Sequence, residues 1–359
     1  LNDIKDMQGP KLLHIKTKKG KGFKPAEESA TEWHAPGKFN KLTGERLSKH
    51  KLDEPQLYQD VFGHTLVELA EQDKRIVGIT PAMPTGCSMT YMMKAFPDRA
   101  FDVGIAEGHA VTFSAGLAKE GMLPFCNIYS SFMQRAYDMV IHDVALQKLH
   151  LVLCLDRAGL VGEDGATHQC NEDIALMRTI PGMVVMCPSD DVEARAAVRA
   201  ALEYEGPVYI RFGRAAVPVI NDHPGYHFEI GKGTVVREGK DVTIVATGIC
   251  VDSALGAAKM LEEEGISAEV VNICTIKPLD EEIILNSAKK TGKVVTVEEH
   301  SVIGGLGSAV CDCLCAHYPV PVKKVGMQDV FGESGSAAAL VEKYGLDAKG
   351  VYKSVKEFL

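Results

Sequence analysis

The segment DVGIAEGHAV, residues 102–111, carries Glu107 at the point where an apolar strand gives way to a helix, with His109 close behind. In an open α/β sheet, ligands bind in the crevice beyond the carboxyl ends of the strands, so a carboxylate placed there is expected to face a ligand. Ile105 and Ala106 flank it, and burial of the carboxylate without a partner would be costly. A structural alternative remains, because a carboxylate in the first turn of a helix also interacts favourably with the helix dipole.

Outward from this segment, apolar strands alternate with helices and short turns. Strands that are apolar throughout need cover on both faces, which predicts an α/β fold with two doubly wound, largely parallel-sheet domains. The strands predicted for the first domain are IVGIT (76–80), FDVGIA (101–106), PFCNIY (124–129), LVLCLD (151–156), MVVMC (183–187) and PVYIRF (207–212), with helices over 57–73, 109–119, 132–147 and 190–204. Those predicted for the second are DVTIVATG (241–248), AEVVNICT (268–275), VVTVEE (294–299) and VKKVGM (322–327), with helices over 251–264, 280–290 and 307–317.

The first 53 residues follow a different pattern. LNDIKDM (1–7) predicts a helix ended by Gly-Pro, and KLLHIKT (11–17) predicts a strand, as in the last helix and strand of a domain whose larger part lies outside the chain. The basic stretch KTKKGKGFKPAEE (16–28) is typical of a solvated linker. We therefore predict a domain tail and linker over 1–53, a domain over 54–222 and a domain over 223–359.

Composition narrows the class of protein. The 359 residues are 46% hydrophobic and 24% charged, as in ordinary globular proteins, and without an apolar run of membrane-spanning length we expect a cytoplasmic protein. A net charge of −9 argues against a broad nucleic-acid surface. The ten cysteines lie mostly in apolar segments, which favours reduced core residues. Cys311, Cys313 and Cys315 share a predicted helix on which Cys313 points away from the other two, so no metal site is expected there.

The segment DRAGLVGEDGATHQ, residues 156–169, combines glycines with polar side chains after a strand. Such a loop can bring its backbone close to a ligand while presenting Arg157, Asp164 and His168. Each side chain also has a structural alternative: Arg157 can pair with Glu163, and His168 can cap the following helix.

Two further strand ends offer side chains suited to binding. Tyr129, Phe132 and Arg135 lie in IYSSFMQRAYD; the rings are either core residues or a platform for a planar heterocycle. Arg211 and Arg214 end the strand IRFGR, and arginine forks suit phosphate or carboxylate groups.

Together these motifs resemble the thiamine-diphosphate enzymes of the transketolase group, and within it most of all the 1-deoxy-D-xylulose-5-phosphate synthase family. The resemblance implies three domains, of which the chain covers the tail of the first, the pyrimidine-binding second and the C-terminal third. The Gly-Asp-Gly motif that binds Mg²⁺ and the diphosphate is expected outside this chain, which alone should therefore be inactive. The motifs that carry the resemblance are KTKKGKGFKPAEE, WHAPGKF, GITPAMPTG, FPDRAFDVGIAEGHAVTFSAGLA, YSSFMQRAYDMVIHDVALQ and DRAGLVGEDGATHQ.

The resemblance also implies a role for each site residue. Glu107 is expected to bond the aminopyrimidine ring of thiamine diphosphate and promote its reactive tautomer, while Phe132 stacks on that ring. Tyr129, Arg135 and Met83 are expected beside the cofactor, with Tyr129 also near the substrate.

The remaining residues are assigned by resemblance to the substrate side or to the first domain. The resemblance implies that pyruvate and glyceraldehyde 3-phosphate are the substrates, and that catalytic His34 and cofactor-binding Lys19 reach the site, against the linker interpretation. Substrate binding is expected of Arg157, Asp164, His168, Tyr129 and Arg214, and His168 is expected to be catalytic as well.

Other assignments remain open. The stretches CNEDIALMRTIPGM, IRFGRAAVPVI and VGMQDVFGESG look more like the C-terminal subunit of two-subunit transketolases, whereas Arg157 favours the synthase family. A catalytically silent assembly or regulatory fragment is a third possibility, from another class. The resemblance implies a homodimer without nucleic-acid or membrane partners.

Overall fold

The computed structural model describes residues 1–30, 32–34, 36–45, 56–162, 164–213 and 218–359. The chain divides into two compact units, residues 1–54 and residues 55–359. In the second unit we call residues 56–213 the first lobe and residues 218–359 the second lobe.

The first unit contains one short helix, α1 (Lys24–Glu28), among its described residues. Its rings cluster, with Trp33 at 4.8 Å from Phe23 and 4.9 Å from Phe39, measured between ring centroids. The helix predicted over 1–7 and the strand predicted over 11–17 were wrong: turns and chain without regular secondary structure take their places. Leu12 is 97% exposed, and a strand is not stable without a neighbour to pair its backbone groups.

The first lobe is built on a sheet whose strands, apart from the partly exposed edge strand over 100–102, are buried on both faces, as their apolar sequences predict. Its own strands lie in the order β5-β6-β4-β3-β1-β2, and every neighbouring pair among these six is parallel. Its elements are β1 (Ile76–Thr80), β2 (Ala100–Asp102), β3 (Leu123–Tyr129), β4 (Leu151–Asp156), β5 (Val184–Met186) and β6 (Pro207–Arg211), with helices α2 (Tyr58–Gln72), α3 (Met89–Ala95), α4 (Glu107–Lys119), α5 (Ser130–Met133), α6 (Tyr137–Met139), α7 (Asp173–Arg178) and α8 (Asp191–Glu203).

The second lobe has a five-stranded sheet in the order β12-β11-β8-β9-β7, in which only the β7–β9 pair is antiparallel. The predicted α/β class with two largely parallel sheets is therefore confirmed. Its elements are β7 (Thr234–Arg237), β8 (Val242–Ala246), β9 (Ala268–Asn272), β10 (Thr275–Lys277), β11 (Val294–Ser301) and β12 (Val322–Met327), with helices α9 (Cys250–Glu263), α10 (Glu281–Thr291), α11 (Leu306–His317), α12 (Ala337–Lys343) and α13 (Ala348–Phe358).

Two elements predicted in the first lobe differ from the structure. The strand predicted over 101–106 ends at Asp102, because the Asp102 side chain accepts hydrogen bonds from the N–H groups of Ala82 and Gly104 and turns the chain. The helix predicted over 132–147 is divided into α5, a 3₁₀ turn, α6 and a π-helix over Val140–Ala145, and Ala136 has φ −109° and ψ 10° at one of the breaks.

The lobes share one sheet, and a buried arginine of the first lobe donates a hydrogen bond to the second. The segment predicted as a single strand over 268–275 splits, so that β9 stays in the second sheet while β10 pairs antiparallel with β5 at the edge of the first. In the first lobe, Arg211 Nε donates to Asp173 Oδ2 at 2.8 Å, and Arg211 Nη2 donates to the Glu299 carbonyl of the second lobe at 2.8 Å. These contacts join the two lobes through their interiors.

Among the described residues, none of the helices combines the length and the apolar character needed to cross a membrane.

Candidate active site

Glu107 begins helix α4 directly after the turn that follows β2, and its side chain is only 6% exposed. Ala106 precedes the helix, which has no side-chain cap, while Ile105 points outward and is 87% exposed. The Glu107 carboxylate has the partner that its burial requires, because Arg135 Nη1 donates to Glu107 Oε1 at 3.2 Å. The expected carboxylate at the strand-to-helix transition is thus present, buried and paired.

Phe132 is the centre of the site. The Arg135 guanidinium lies over its ring at 5.1 Å, and the His168 ring meets it edge-on at 5.2 Å. Tyr129 lies 5.8 Å away in a tilted arrangement, measured between ring centroids. Since Phe132 is only partly buried, this cluster keeps flat aromatic surface near a carboxylate, an arrangement suited to a planar heterocycle.

The glycine loop, residues 157–169, brings its polar groups to the same place. Arg157 lies over the Tyr129 ring at 4.2 Å, and its Nη1 is 3.6 Å from Asp164 Oδ2. His168 Nδ1 shares a hydrogen bond of 2.9 Å with Thr167 Oγ1, and the helix α7 that follows begins without a side-chain cap. The capping alternative for His168 is therefore not realised, and Arg157 is paired with Asp164.

Met83 is buried beneath this cluster, where its sulfur accepts the backbone N–H of Tyr129 at 3.3 Å. In the first unit, Lys19 Nζ lies 2.6 Å from His34 Nδ1, so two predicted site residues are in contact with each other. Arg214 and Glu163 lie outside the described residues. Arg211, which the sequence offers as an anion ligand, is instead buried in the ion pair with Asp173.

Two acidic residues near the site were not among the predicted ones. Asp156 ends β4 directly before Arg157, and burial raises the pKa of its carboxyl to about 8. Glu299 in β11 is buried against the glycine loop, and burial raises its pKa to about 7 although the Arg211 guanidinium opposes that shift. A charged residue closing an otherwise apolar strand, as in LVLCLD and VVTVEE, is the sequence signal that could have identified both.

Two family models match the chain. The model of the transketolase pyrimidine binding domain matches residues 54–219, and that of the transketolase C-terminal domain matches residues 231–351.

Curated relatives match almost the whole chain. It is 58% identical over 360 residues to the 1-deoxy-D-xylulose-5-phosphate synthase of Parabacteroides distasonis, covering 99% of this chain and 57% of that protein. It is 49% identical over 363 residues to the enzyme of the same name from Porphyromonas gingivalis, covering 100% of this chain and 57% of that protein. The chain thus spans about half the length of the curated relatives it matches.

Two solved structures similar to this chain are transketolases as well. A split gene transketolase, described as an inactive beta4 tetramer, is 47% identical with a TM-score of 0.78, covering 84% of this chain and 97% of that chain. A transketolase from Campylobacter jejuni, 22% identical with a TM-score of 0.71 over 86% of this chain and 48% of that chain, shows the shared fold alone.

Proposed function

Because the chain belongs to the transketolase family, we propose that it provides the pyrimidine-binding and C-terminal domains, 54–222 and 223–359, of a 1-deoxy-D-xylulose-5-phosphate synthase, with residues 1–53 as the tail of the first domain. The observation that carries the proposal is the single cluster in which Glu107, Phe132, Arg135 and the polar groups of the glycine loop meet. The names of the relatives support the choice of reaction.

The residues at this cluster fit thiamine diphosphate. Phe132 offers a face for the aminopyrimidine ring, and Tyr129 and Met83 border it. Glu107 is buried and oriented by Arg135, so it can hold a proton at a ring nitrogen of the cofactor. When bound, the cofactor supplies the carbon nucleophile and electron sink that decarboxylation requires.

On the substrate side, Arg157 and Arg214 are proposed to hold the anionic ends of pyruvate and glyceraldehyde 3-phosphate, with Asp164 and His168 beside the reacting carbons. In the proposed reaction the bond between the carboxylate and carbonyl carbons of pyruvate breaks and carbon dioxide leaves. The carbonyl carbon then bonds to the aldehyde carbon of the acceptor, whose oxygen takes up one proton. His168 is proposed to move that proton, and Lys19 and His34 to complete the site.

Mg²⁺ is proposed to bind with the diphosphate through ligands outside this chain. Within the part of the chain that the structure describes, no group of three or more His, Cys, Asp or Glu residues is arranged to hold a metal ion. The proposed assembly is a homodimer, which light scattering on the complete protein would measure.

A second candidate is the C-terminal subunit of a two-subunit transketolase. The 47% identity to a split gene transketolase favours this candidate. The description of that protein as an inactive tetramer also supports the third candidate, a catalytically silent fragment.

Assays of the complete protein with two substrate pairs distinguish these candidates. The synthase should release carbon dioxide from pyruvate when glyceraldehyde 3-phosphate is added and form 1-deoxy-D-xylulose 5-phosphate. Turnover only of xylulose 5-phosphate with ribose 5-phosphate would establish the transketolase instead. Absence of turnover with both pairs, in the presence of thiamine diphosphate and Mg²⁺, would favour the silent fragment.

A further inference from the structure

The glycine loop extends from the first lobe but is anchored in the second. Leu160, near its start, is completely buried and belongs to the hydrophobic core of the second lobe, together with Ile244, Val297 and Leu340. Full burial of a leucine side chain is strongly favourable, so this anchor is substantial. The loop that carries Arg157, therefore, depends on packing outside the lobe from which it extends.

Hydrogen bonds reinforce the anchor at both ends of the loop. Glu299 Oε1 accepts the Leu160 N–H at 2.8 Å. Gln169 Nε2 donates to the Gly162 carbonyl at 3.1 Å and to the Glu333 carbonyl at 2.9 Å. The acceptors Glu299 and Glu333 belong to the second lobe, which thus holds the loop on either side of Asp164, through a backbone N–H at Leu160 and a side chain at Gln169.

Two of the loop glycines allow this close approach. Gly159 has φ +82°, and a Cβ there would overlap the Glu299 carboxylate. Gly162 has φ +104°, and a Cβ there would lie 3.1 Å from the Gly335 carbonyl oxygen. The sequence predicts that the loop glycines bring backbone close to a ligand; at these two positions the backbone approaches the second lobe instead.

Glu299 is itself held in place. Arg211, at the end of β6, donates to the Glu299 carbonyl at 2.8 Å, and its Nη1 lies 4.0 Å from Glu299 Oε2. Arg211 is also paired with Asp173 of the first lobe. The carboxylate is therefore fixed between the sheet of the first lobe and the glycine loop.

We propose that Glu299 is a positioning residue through which the second lobe sets the geometry of Arg157, Asp164 and His168. It acts on the substrate side of the site, because the contact of Glu107 with Arg135 and that of Arg135 with Phe132 lie wholly within the first lobe. The identity of the substrate rests on the proposed function, whereas the dependence of the loop on Glu299 does not.

Hydrogen–deuterium exchange on the full chain tests the dependence directly. Glu299→Ala should accelerate amide exchange over residues 157–169 by about tenfold or more, and Glu299→Gln, which keeps an acceptor oxygen, should restore most of the protection. The matched control is Glu298→Ala, because Glu298 is equally buried in β11 but accepts the N–H groups of Leu306 and Gly307 at 2.7 and 2.8 Å. Unchanged loop exchange in a folded Glu299→Ala chain would overturn the proposal.

A second variant, Gly332→Ala, perturbs the glycine loop without altering any buried charge. In Gly332→Ala the new methyl group would overlap Gln169 Oε1, so the loop should again exchange faster if the second lobe holds it. This variant decides the question if Glu299→Ala does not fold, and a loop unaffected in Gly332→Ala would then refute the proposal.

Kinetics of the complete protein separate positioning from a general structural role. Glu299→Ala should raise the KM for glyceraldehyde 3-phosphate several-fold, while the Kd of thiamine diphosphate changes less than about twofold, and Glu299→Gln should restore most of the wild-type KM. An equal loss of cofactor affinity would contradict the proposal. If the wild-type protein has no synthase activity, the proposed function fails, and the exchange experiment still decides the role of Glu299.

Discussion

The two sides of the candidate active site are built in different ways. Arg135 contacts both Glu107 and Phe132, and the three residues lie within 30 residues of sequence and within one lobe. Arg157, Asp164 and His168 lie on a loop whose backbone is held by residues more than 130 positions away, in the other lobe. The proposed cofactor side is thus a local construction, whereas the proposed substrate side depends on how the two lobes pack. Perturbing one side should leave the other intact, and the following predictions test that separation.

Breaking the buried ion pair of Arg211, the residue that also contacts Glu299 of the second lobe, should have the largest effect. Arg211→Met leaves the Asp173 carboxylate buried without its cation, which should cost about 3–5 kcal/mol of unfolding free energy. Arg199→Met is the control, since Arg199 and its partner Glu68 are half exposed and should contribute less than about 1 kcal/mol. Urea unfolding of both variants measures the difference, and equal losses of unfolding free energy would show that the buried ion pair contributes no more than the exposed one.

Removing Arg157 should affect substrate binding alone. Arg157→Met deletes the proposed charge-assisted contact, so the complete protein should bind glyceraldehyde 3-phosphate roughly 2–4 kcal/mol more weakly. Calorimetric titration should find thiamine diphosphate affinity unchanged. Arg157→Lys, which keeps the charge but not the fork, should lie between wild type and Met; weaker cofactor binding in either variant would contradict the separation of the two sides.

Changing Glu107 should affect the cofactor side alone. Glu107→Gln keeps the shape but cannot exchange a proton, so kcat of the complete protein should fall about 100-fold while acceptor KM stays near its wild-type value. Exchange of the cofactor C2 hydrogen, followed by NMR, is the direct measurement. Glu120→Gln, at the exposed end of the same helix, is the control; a normal C2 exchange rate in Glu107→Gln would refute the assignment.

The smallest predicted effect is a pH dependence of stability from Asp156. Its pKa is raised by burial from 3.8 to about 8, so the folded state binds more protons than the unfolded state between these values and unfolding free energy falls as pH rises. Between pH 6 and pH 7 this group should contribute a decrease of about 1.4 kcal/mol, which Asp156→Asn should abolish. Asp98→Asn, at an exposed position, should keep the wild-type slope. Urea unfolding at the two pH values measures this change in unfolding free energy. An unchanged pH dependence in Asp156→Asn would show that Asp156 is not its source.

Much of the site could be predicted because its residues follow strand ends. Tyr129 and Arg157 come at the carboxyl ends of β3 and β4, which are neighbours in the parallel sheet, so their proximity follows from topology. The roles of Glu299 and Arg211 could not be predicted in the same way. Their partners lie far away in sequence, and an arginine at a strand end has the same local pattern whether it faces a ligand or a buried carboxylate.

The sequence by itself determined the α/β class, most strands of both sheets except β7 and β10, and the position of Glu107, because apolar runs and turn residues act over a few neighbouring positions. It was misleading over residues 1–17, where none of the strands in the described part of the chain pairs with the apolar pattern. Only the tertiary structure decided that β10 joins the first sheet and that Leu160 packs into the second lobe. Both placements depend on which surfaces of the lobes pack together. That packing is determined by buried area and paired charges between residues distant in sequence.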